Sequence, residues 1–164
     1  MQKELPKRKN IRLEGHDYSQ AGYYFITICV KDGHGMLSSI DVGANCVRPI
    51  LSEIGKIIEK EIDVLSNTYE GIAVDKYVIM PNHIHMIVVI IPNPGRTQFA
   101  PTISRIIKQF KGSVTKQVGF SIWQRSYHDH IIRSESDYQR IWQYIEENPL
   151  KWAEDCYFIS EKNH

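Results

Sequence analysis

Apolar residues recur at intervals of three and four along three stretches of the chain, and this spacing predicts three amphipathic helices. The first is predicted to begin at the stripe residue Leu51 and to end near Ser66 and Asn67, and the second is predicted over residues 102–118. The third is predicted to begin after Ser134, a suitable N-cap, and to end near Asn148, because proline disfavours helical geometry in the residue before it. The apolar stripes are Leu51, Ile54, Ile58, Ile62 and Leu65; Ile103, Ile106, Ile107, Phe110 and Val114; and Tyr138, Ile141, Trp142 and Ile145.

Stretches rich in β-branched and aromatic residues predict the strands of a sheet. They cover residues 23–30, 72–80, 83–91 and 127–133. The first is predicted to form an N-terminal hairpin with a short strand near Met36. A tight turn at Pro81 and Asn82 is predicted to join the second and third strands as antiparallel neighbours.

The order of these elements is typical of an α+β sandwich, in which helices pack against a mainly antiparallel sheet. The chain has 164 residues, of which 42% are hydrophobic and 24% charged, so we expect one globular domain over residues 1–164. Residues 1–20 show no periodicity and are predicted to form a basic N-terminal arm or loop. No apolar run is long enough to span a bilayer, and no signal peptide is apparent. We therefore expect a cytoplasmic protein without a membrane partner.

Positive charge is concentrated in two segments, although the net charge of the whole chain is only +1. Residues 1–12 carry a net +4 and residues 99–133 a net +5, which leaves −8 for the remainder. In the second predicted helix, the basic residues lie opposite the apolar stripe; they are Arg105, Lys108, Lys111 and Lys116. This face can bind a polyanion such as nucleic acid, or it can be an ordinary solvated helix surface.

Two histidines, His83 and His85, stand one residue apart at the start of the most apolar predicted strand. Because strand side chains alternate between faces, both imidazoles project to the same side. Two neutral imidazoles form half of a metal site, which needs a further donor from elsewhere in the chain. The alternative is that the pair only closes the end of a strand.

Tyr144 and Asn148 are four residues apart, so they lie on one face of the third predicted helix. From there Asn148 can supply the missing oxygen ligand, and Tyr144 can supply a nucleophile whose phenolate a nearby metal would stabilise. Alternatively, Tyr144 is a half-buried amphipathic side chain and Asn148 a helix C-cap. His128 and His130 also alternate on a predicted strand. They are either a competing metal pair or residues that brace the site through hydrogen bonds.

Four segments in order resemble the REP-associated tyrosine transposases, which are single-tyrosine HUH transposases. The segments are GYYFITIC at 22–29, YVIMPNHIH at 77–85, YHDHIIR at 127–133 and YIEENP at 144–149. The resemblance implies a ferredoxin-like fold and the cleavage and joining of single-stranded DNA. It also implies that His83, His85 and Asn148 are metal ligands and that Tyr144 is the nucleophile.

The main hypothesis is a DNA transposase that holds Mg²⁺ or Mn²⁺ and forms a 5′-phosphotyrosine intermediate at hairpin-forming repeats. Arg105, Lys108, Lys111 and the arm residue Arg12 are the predicted contacts to the DNA backbone. One alternative is a domesticated hairpin DNA- or RNA-binding module without cleavage. Another is a metal-dependent phosphodiesterase that uses water. The chain is expected to act as a monomer or a homodimer.

Overall fold

The computed structural model describes residues 21–41, 48–91 and 102–158. The predicted basic arm, with Arg12, lies outside the described residues. In chain order the elements are β1 Gly22–Cys29, β2 Ser38–Ser39, β3 Ile50–Leu51, α1 Glu53–Thr68, β4 Ile72–Ile79, β5 His83–Ile90, α2 Ile103–Val118, β6 His128–Ile132 and α3 Glu135–Glu147. Among the described residues, no helix is both long and apolar enough to cross a membrane.

The main sheet has four strands in the order β4-β5-β1-β6, and all neighbours are antiparallel. The expected α+β class, the three helices and the pairing of β4 with β5 around Pro81 and Asn82 are therefore confirmed. Each helix begins at a hydroxyl side chain that accepts a hydrogen bond from the backbone three residues later; these caps are Ser52, Thr102 and Ser134.

The predicted N-terminal hairpin is wrong. The short strand after β1 is β2, and it pairs with β3 in a separate two-stranded sheet, whereas β1 lies between β5 and β6. Alternate residues of β1 such as Ile26 and Ile28 are fully buried, and Thr27 on the opposite face is only 4% exposed. A strand buried on both faces needs long neighbours on both sides, which a two-residue strand cannot provide.

The two faces of the sheet have different coverings. Helices α1 and α2 pack on the face that carries Ile84, Met86 and Val88 of β5, and together they form the larger core. Helix α3 packs on the opposite face, where Ile141 and Ile145 contact a smaller cluster around Ile87. The alternation of β5 places His83 and His85 on this second face, at the end of the smaller cluster.

A close approach at the start of α1 predicts a large stability effect. A Cβ atom on Gly55 would lie 2.2 Å from the backbone carbonyl oxygen of Leu37. We therefore expect Gly55→Ala to lower the free energy of unfolding by about 1–3 kcal/mol, because backbone must shift to admit the methyl group. Urea denaturation followed by circular dichroism measures the change.

Gly112 in α2 provides the matched control, since a Cβ atom there would meet no heavy atom within 4 Å. Gly112→Ala should raise the free energy of unfolding by about 0.5–1 kcal/mol, because alanine loses less conformational entropy in a helix. Equal changes in the two variants would contradict the close approach at Gly55.

Candidate active site

His83 and His85 lie side by side at the start of β5, with their ring centroids 4.5 Å apart. Their relative exposures are 0% and 2%, so both imidazoles are enclosed by protein. Burial lowers the pKa of His83 to about 4, against the opposing effects of the Asp155 carboxylate and the Asn148 carboxamide. The pKa of His85 is also well below its usual value because of burial and the neighbouring His83. Both side chains are therefore neutral at pH 7, the state in which imidazole binds a metal.

Asn82 fixes the tautomer of His83. Its side-chain nitrogen donates to the backbone oxygens of Gly33 and Tyr157, at 3.1 and 2.8 Å, so its side-chain oxygen is the atom 2.8 Å from Nδ1 of His83. That oxygen can only accept, which requires the proton on Nδ1 and leaves a lone pair on Nε2. Within the described part of the chain, this Nε2 is buried and has no hydrogen-bond partner.

A hydrogen bond to its outward ring nitrogen also orients His85. Its Nδ1 lies 2.8 Å from the hydroxyl oxygen of Thr27, on the neighbouring strand β1. When Nδ1 carries the proton, Nε2 points into the site with its lone pair available. Hydrogen bonds to the outward nitrogens of both imidazoles are the usual way in which proteins orient metal-binding histidines.

Tyr144 reaches the histidines from α3. Its hydroxyl oxygen lies 3.4 Å from Nε2 of His85, and its ring meets the ring of Phe25 edge-on. The side chain is 42% exposed, so one side of the phenol opens to solvent. Partial burial, followed by the charge of Asp155, raises the pKa of Tyr144 to about 12. In the absence of added positive charge, Tyr144 is therefore a neutral phenol at pH 7.

Asn148 lies one helical turn beyond Tyr144 and is 3% exposed. Its side-chain nitrogen donates to Oδ2 of Asp155 at 2.6 Å. Among the described residues, its side-chain oxygen is buried and has no hydrogen-bond partner. An unpartnered buried oxygen is costly unless something binds to it.

Asp155 is a residue of this site that the sequence analysis missed. One ligand atom from each of His83, His85 and Asp155 lies within 4.8 Å of the others, so the three residues could hold a metal ion. Asp155 is the C-cap of a short 3-10 helix at Trp152–Glu154, beyond the end of α3. Periodicity could not have indicated it, since it lies outside the regular helices and strands.

The second histidine pair lies beside the site. His128 and His130 are on β6 and line the same cleft as His85 and Tyr144, a cavity of about 500 Å³. His130 is exposed, and its Nε2 lies 2.7 Å from a carboxylate oxygen of Asp137. Neither residue belongs to the metal-type cluster found among the described residues. Their proposed bracing role stays a prediction.

The predicted DNA contacts of α2 and the two histidines lie on opposite sides of the sheet. Arg105 and Lys108 are exposed, whereas the Lys111 amine donates to the carbonyl oxygens of Gln124 and Ser126, at 2.8 and 2.6 Å. Because α2 packs on the other face of the sheet, the sheet separates these residues from His83 and Tyr144.

Comparisons with known proteins give relatives for nearly the whole chain. An "Uncharacterized protein" of Haemophilus influenzae is 31% identical over 175 residues, which cover 93% of each protein. A protein of the same organism named "Putative REP-associated tyrosine transposase" is 24% identical over 144 residues, which cover 82% of this chain and 74% of that protein. No protein-family model matches the chain.

A solved structure of a REP-associated tyrosine transposase bound to a REP hairpin is similar in fold. The TM-score is 0.63 at 22% sequence identity, and the match covers 86% of this chain and 74% of that one. At this identity the match establishes the shared fold.

Proposed function

Because the chain belongs to the family of REP-associated tyrosine transposases, we propose that it cuts and rejoins single-stranded DNA at hairpin-forming repeats through a 5′-phosphotyrosine linkage. The observation that carries the proposal is the convergence of residues far apart in sequence. The Tyr144 hydroxyl lies 3.4 Å from His85 in a cleft of about 500 Å³. A cleft of this volume is within the range of sites that bind small molecules, and it suits a nucleotide.

The donor atoms beside the cleft suit a divalent cation. Nε2 of His83 and the side-chain oxygen of Asn148 are buried without hydrogen-bond partners among the described residues. His85 lines the cleft, and the centroid of its ring lies 4.5 Å from that of His83. We propose that these three residues hold Mg²⁺ or Mn²⁺, since a mixed set of imidazole and oxygen donors suits Mn²⁺ and Mg²⁺ accepts the oxygen donors. When bound, the ion supplies positive charge that polarises a phosphodiester and favours the phenolate.

Tyr144 is the proposed nucleophile. Its phenolic oxygen forms a bond to phosphorus while the bond from phosphorus to the 3′ oxygen breaks, which leaves a 5′-phosphotyrosine and a free 3′-hydroxyl. The phenol loses one proton and the leaving 3′ oxygen gains one, so the step balances. Because Tyr144 is 42% exposed, water can carry the proton. Attack by another 3′-hydroxyl on the phosphotyrosine then rejoins the strands and restores the phenol.

A labelling experiment with two separately labelled DNA samples tests this chemistry. A hairpin oligonucleotide with single-stranded flanks, labelled at its 5′ end in one sample and its 3′ end in another, is incubated with the full chain and Mn²⁺ and then denatured. We expect the 3′ label to migrate with the protein and the 5′ label to appear in a short free strand. A chelator should suppress both products.

The same gel separates the alternatives. A 5′ label that migrates with the protein would contradict the proposed polarity. Metal-dependent cleavage without any protein-linked label would indicate attack by water. Retention of an uncut hairpin under native conditions, without cleavage, would indicate a binding module.

The basic face of α2 is proposed to hold the DNA backbone away from the cleavage site. Since α2 lies on the opposite face of the sheet, its side chains contact phosphates of the hairpin rather than the phosphate that Tyr144 attacks. Arg105 and Lys108 are exposed for this role. A phosphate at Lys111 would compete with two carbonyl oxygens for its amine. Arg12 remains a proposed contact of the N-terminal arm.

Salt dependence measures these contacts. We expect Arg105→Ala and Lys108→Ala each to weaken hairpin binding and to reduce the slope of log affinity against log salt concentration by about 1, because each removes one phosphate contact. Fluorescence anisotropy with a labelled hairpin at several salt concentrations gives the slopes. Lys60→Ala on α1, which removes a charge that is also exposed, should leave the slope unchanged. An equal reduction of the slope in the Lys60 variant would show that the slope depends on net charge and not on contacts of α2.

A further inference from the structure

The segment after α3 carries a carboxylate into the middle of the proposed active site. Asp155 follows the turn at Trp152–Glu154 and is partly buried. One of its oxygens lies within 4.8 Å of ligand nitrogens of both His83 and His85. A single ion between these atoms can therefore be reached by all three side chains after only small movements.

Hydrogen bonds hold this carboxylate in place. Oδ2 accepts from the side-chain nitrogen of Asn148 at 2.6 Å, and Oδ1 accepts from the backbone nitrogen of Tyr157 at 2.9 Å. The backbone oxygen of Tyr157 in turn accepts from Asn82, the residue that orients His83. The Tyr157 ring lies against the His83 ring, with the centroids 4.4 Å apart. These contacts fasten the segment to the turn between β4 and β5.

We propose that Asp155 is a further ligand of the divalent cation, added to His83, His85 and Asn148. This inference rests on the cation site of the proposed function. A carboxylate has about four lone-pair sites, so the hydrogen bonds from Asn148, Tyr157 and Cys156 leave Asp155 able to bind a cation. Asn148 then has two uses: its nitrogen positions Asp155, and its unpartnered oxygen faces the ion.

The charges around Asp155 support the proposal. Among the described residues, the ion pairs involve other carboxylates, and none includes Asp155. A partly buried carboxylate beside two imidazoles and a carboxamide is stabilised by positive charge, which a divalent cation provides. With Asp155 the ligand set carries one negative charge. An additional charged oxygen favours the hard cations Mg²⁺ and Mn²⁺.

Calorimetric titration of the metal-free full chain with Mn²⁺, without DNA, tests the inference. We expect Asp155→Asn to weaken Mn²⁺ binding by at least about tenfold, because even residues that only orient ligands change metal affinity by roughly 10- to 100-fold. Glu154→Gln is the matched control. It removes the same charge from an exposed side chain that is one residue away from Asp155. Its Mn²⁺ affinity should equal that of the wild type. Equal affinity in wild type and Asp155→Asn overturns the inference.

A spectroscopic measurement separates coordination from support of Asn148. With Co²⁺ as the probe at saturating concentration, loss of a carboxylate ligand alters the visible absorption spectrum of Asp155→Asn. An unchanged spectrum with weaker binding would mean that Asp155 acts only by positioning Asn148, and the inference would be wrong. The spectrum of Glu154→Gln should match that of the wild type.

The inference and the proposed function can fail separately. Metal-dependent adduct formation by the wild type, together with unchanged Mn²⁺ affinity in Asp155→Asn, would overturn only the role of Asp155. Asp155-dependent Mn²⁺ binding in a protein that forms no DNA adduct would support the ligand and overturn the cleavage chemistry.

Discussion

Replacing Tyr144 with phenylalanine should lower the rate of covalent adduct formation by at least about 10³-fold, while hairpin binding stays close to that of the wild type. The variant removes only the oxygen that lies 3.4 Å from His85 and keeps the ring that packs edge-on against Phe25. The fold should therefore persist. The adduct is measured with the 3′-labelled hairpin on a denaturing gel, and binding is measured by anisotropy.

Two other tyrosines serve as controls. Tyr138 lies on the same helix, and its hydroxyl donates to Asp75, which is not one of the proposed metal ligands. Tyr157 is the rival nucleophile, because its ring lies within 4.4 Å of His83 and it lines the same cleft. Tyr138→Phe and Tyr157→Phe should both retain the adduct. An adduct that persists in Tyr144→Phe but disappears in Tyr157→Phe would transfer the nucleophilic role to Tyr157.

The helices were predictable because their stripes record directly which side faces the core. Ile58 and Phe110 are examples: each falls on its predicted stripe, and each is at most 2% exposed. Trp142 fell on the third predicted stripe but is 36% exposed, with the Lys76 amine 4.2 Å from its ring centroid. Aromatic residues at the border of a stripe can contact a long charged side chain instead of the core.

Strand pairing was predictable only where a tight turn determined it. The tight turn at Pro81 and Asn82 brings β4 and β5 together as neighbours, and the structure confirms that these two strands pair. The partners of β1 come from residues 83–90 and 128–132, far along the chain. Local patterns contain no information about which distant strand reaches β1, so the predicted hairpin failed.

In the candidate site, too, local sequence patterns indicate only the residues that share one helix or strand. The spacing of His83 with His85 and of Tyr144 with Asn148 is a property of one strand and one helix, so both pairs were visible in the sequence. Asp155 lies on irregular backbone, and only the bonds from Asn148 and Tyr157 bring it to the histidines. Its place depends on tertiary contacts that no periodicity records.

The separation of the basic helix face from the cleft bears on how DNA would be held. Arg105 and Lys108 belong to the helix layer that packs on Ile84 and Met86, whereas Tyr144 belongs to the layer on the other face. A DNA molecule that contacts both must pass around an edge of the sheet. Substitutions on α2 should therefore change affinity and its salt dependence, and they should leave the rate of cleavage of fully bound DNA unaltered.

Substitution of His83 or His85 should also lower covalent adduct formation strongly. We expect His83→Ala and His85→Ala each to lower metal-dependent adduct formation by at least about 10³-fold. Each variant removes a proposed metal ligand, whose outward ring nitrogen is hydrogen-bonded to Asn82 or Thr27. Hairpin affinity should stay near the wild-type value, since the proposed contacts to the DNA backbone are on the other face of the sheet. The adduct gel measures the first effect and anisotropy the second.

The second histidine pair supplies the control that decides between the two candidate metal sites. His130 is exposed and is hydrogen-bonded to Asp137, so His130→Ala should keep most of the adduct and all of the Mn²⁺ affinity. Because His83 is fully buried, melting temperatures must accompany the comparison, and His83→Gln provides a variant of more similar volume. Loss of Mn²⁺ binding in His130→Ala, with normal binding in a folded His83 variant, would move the metal site from β5 to β6.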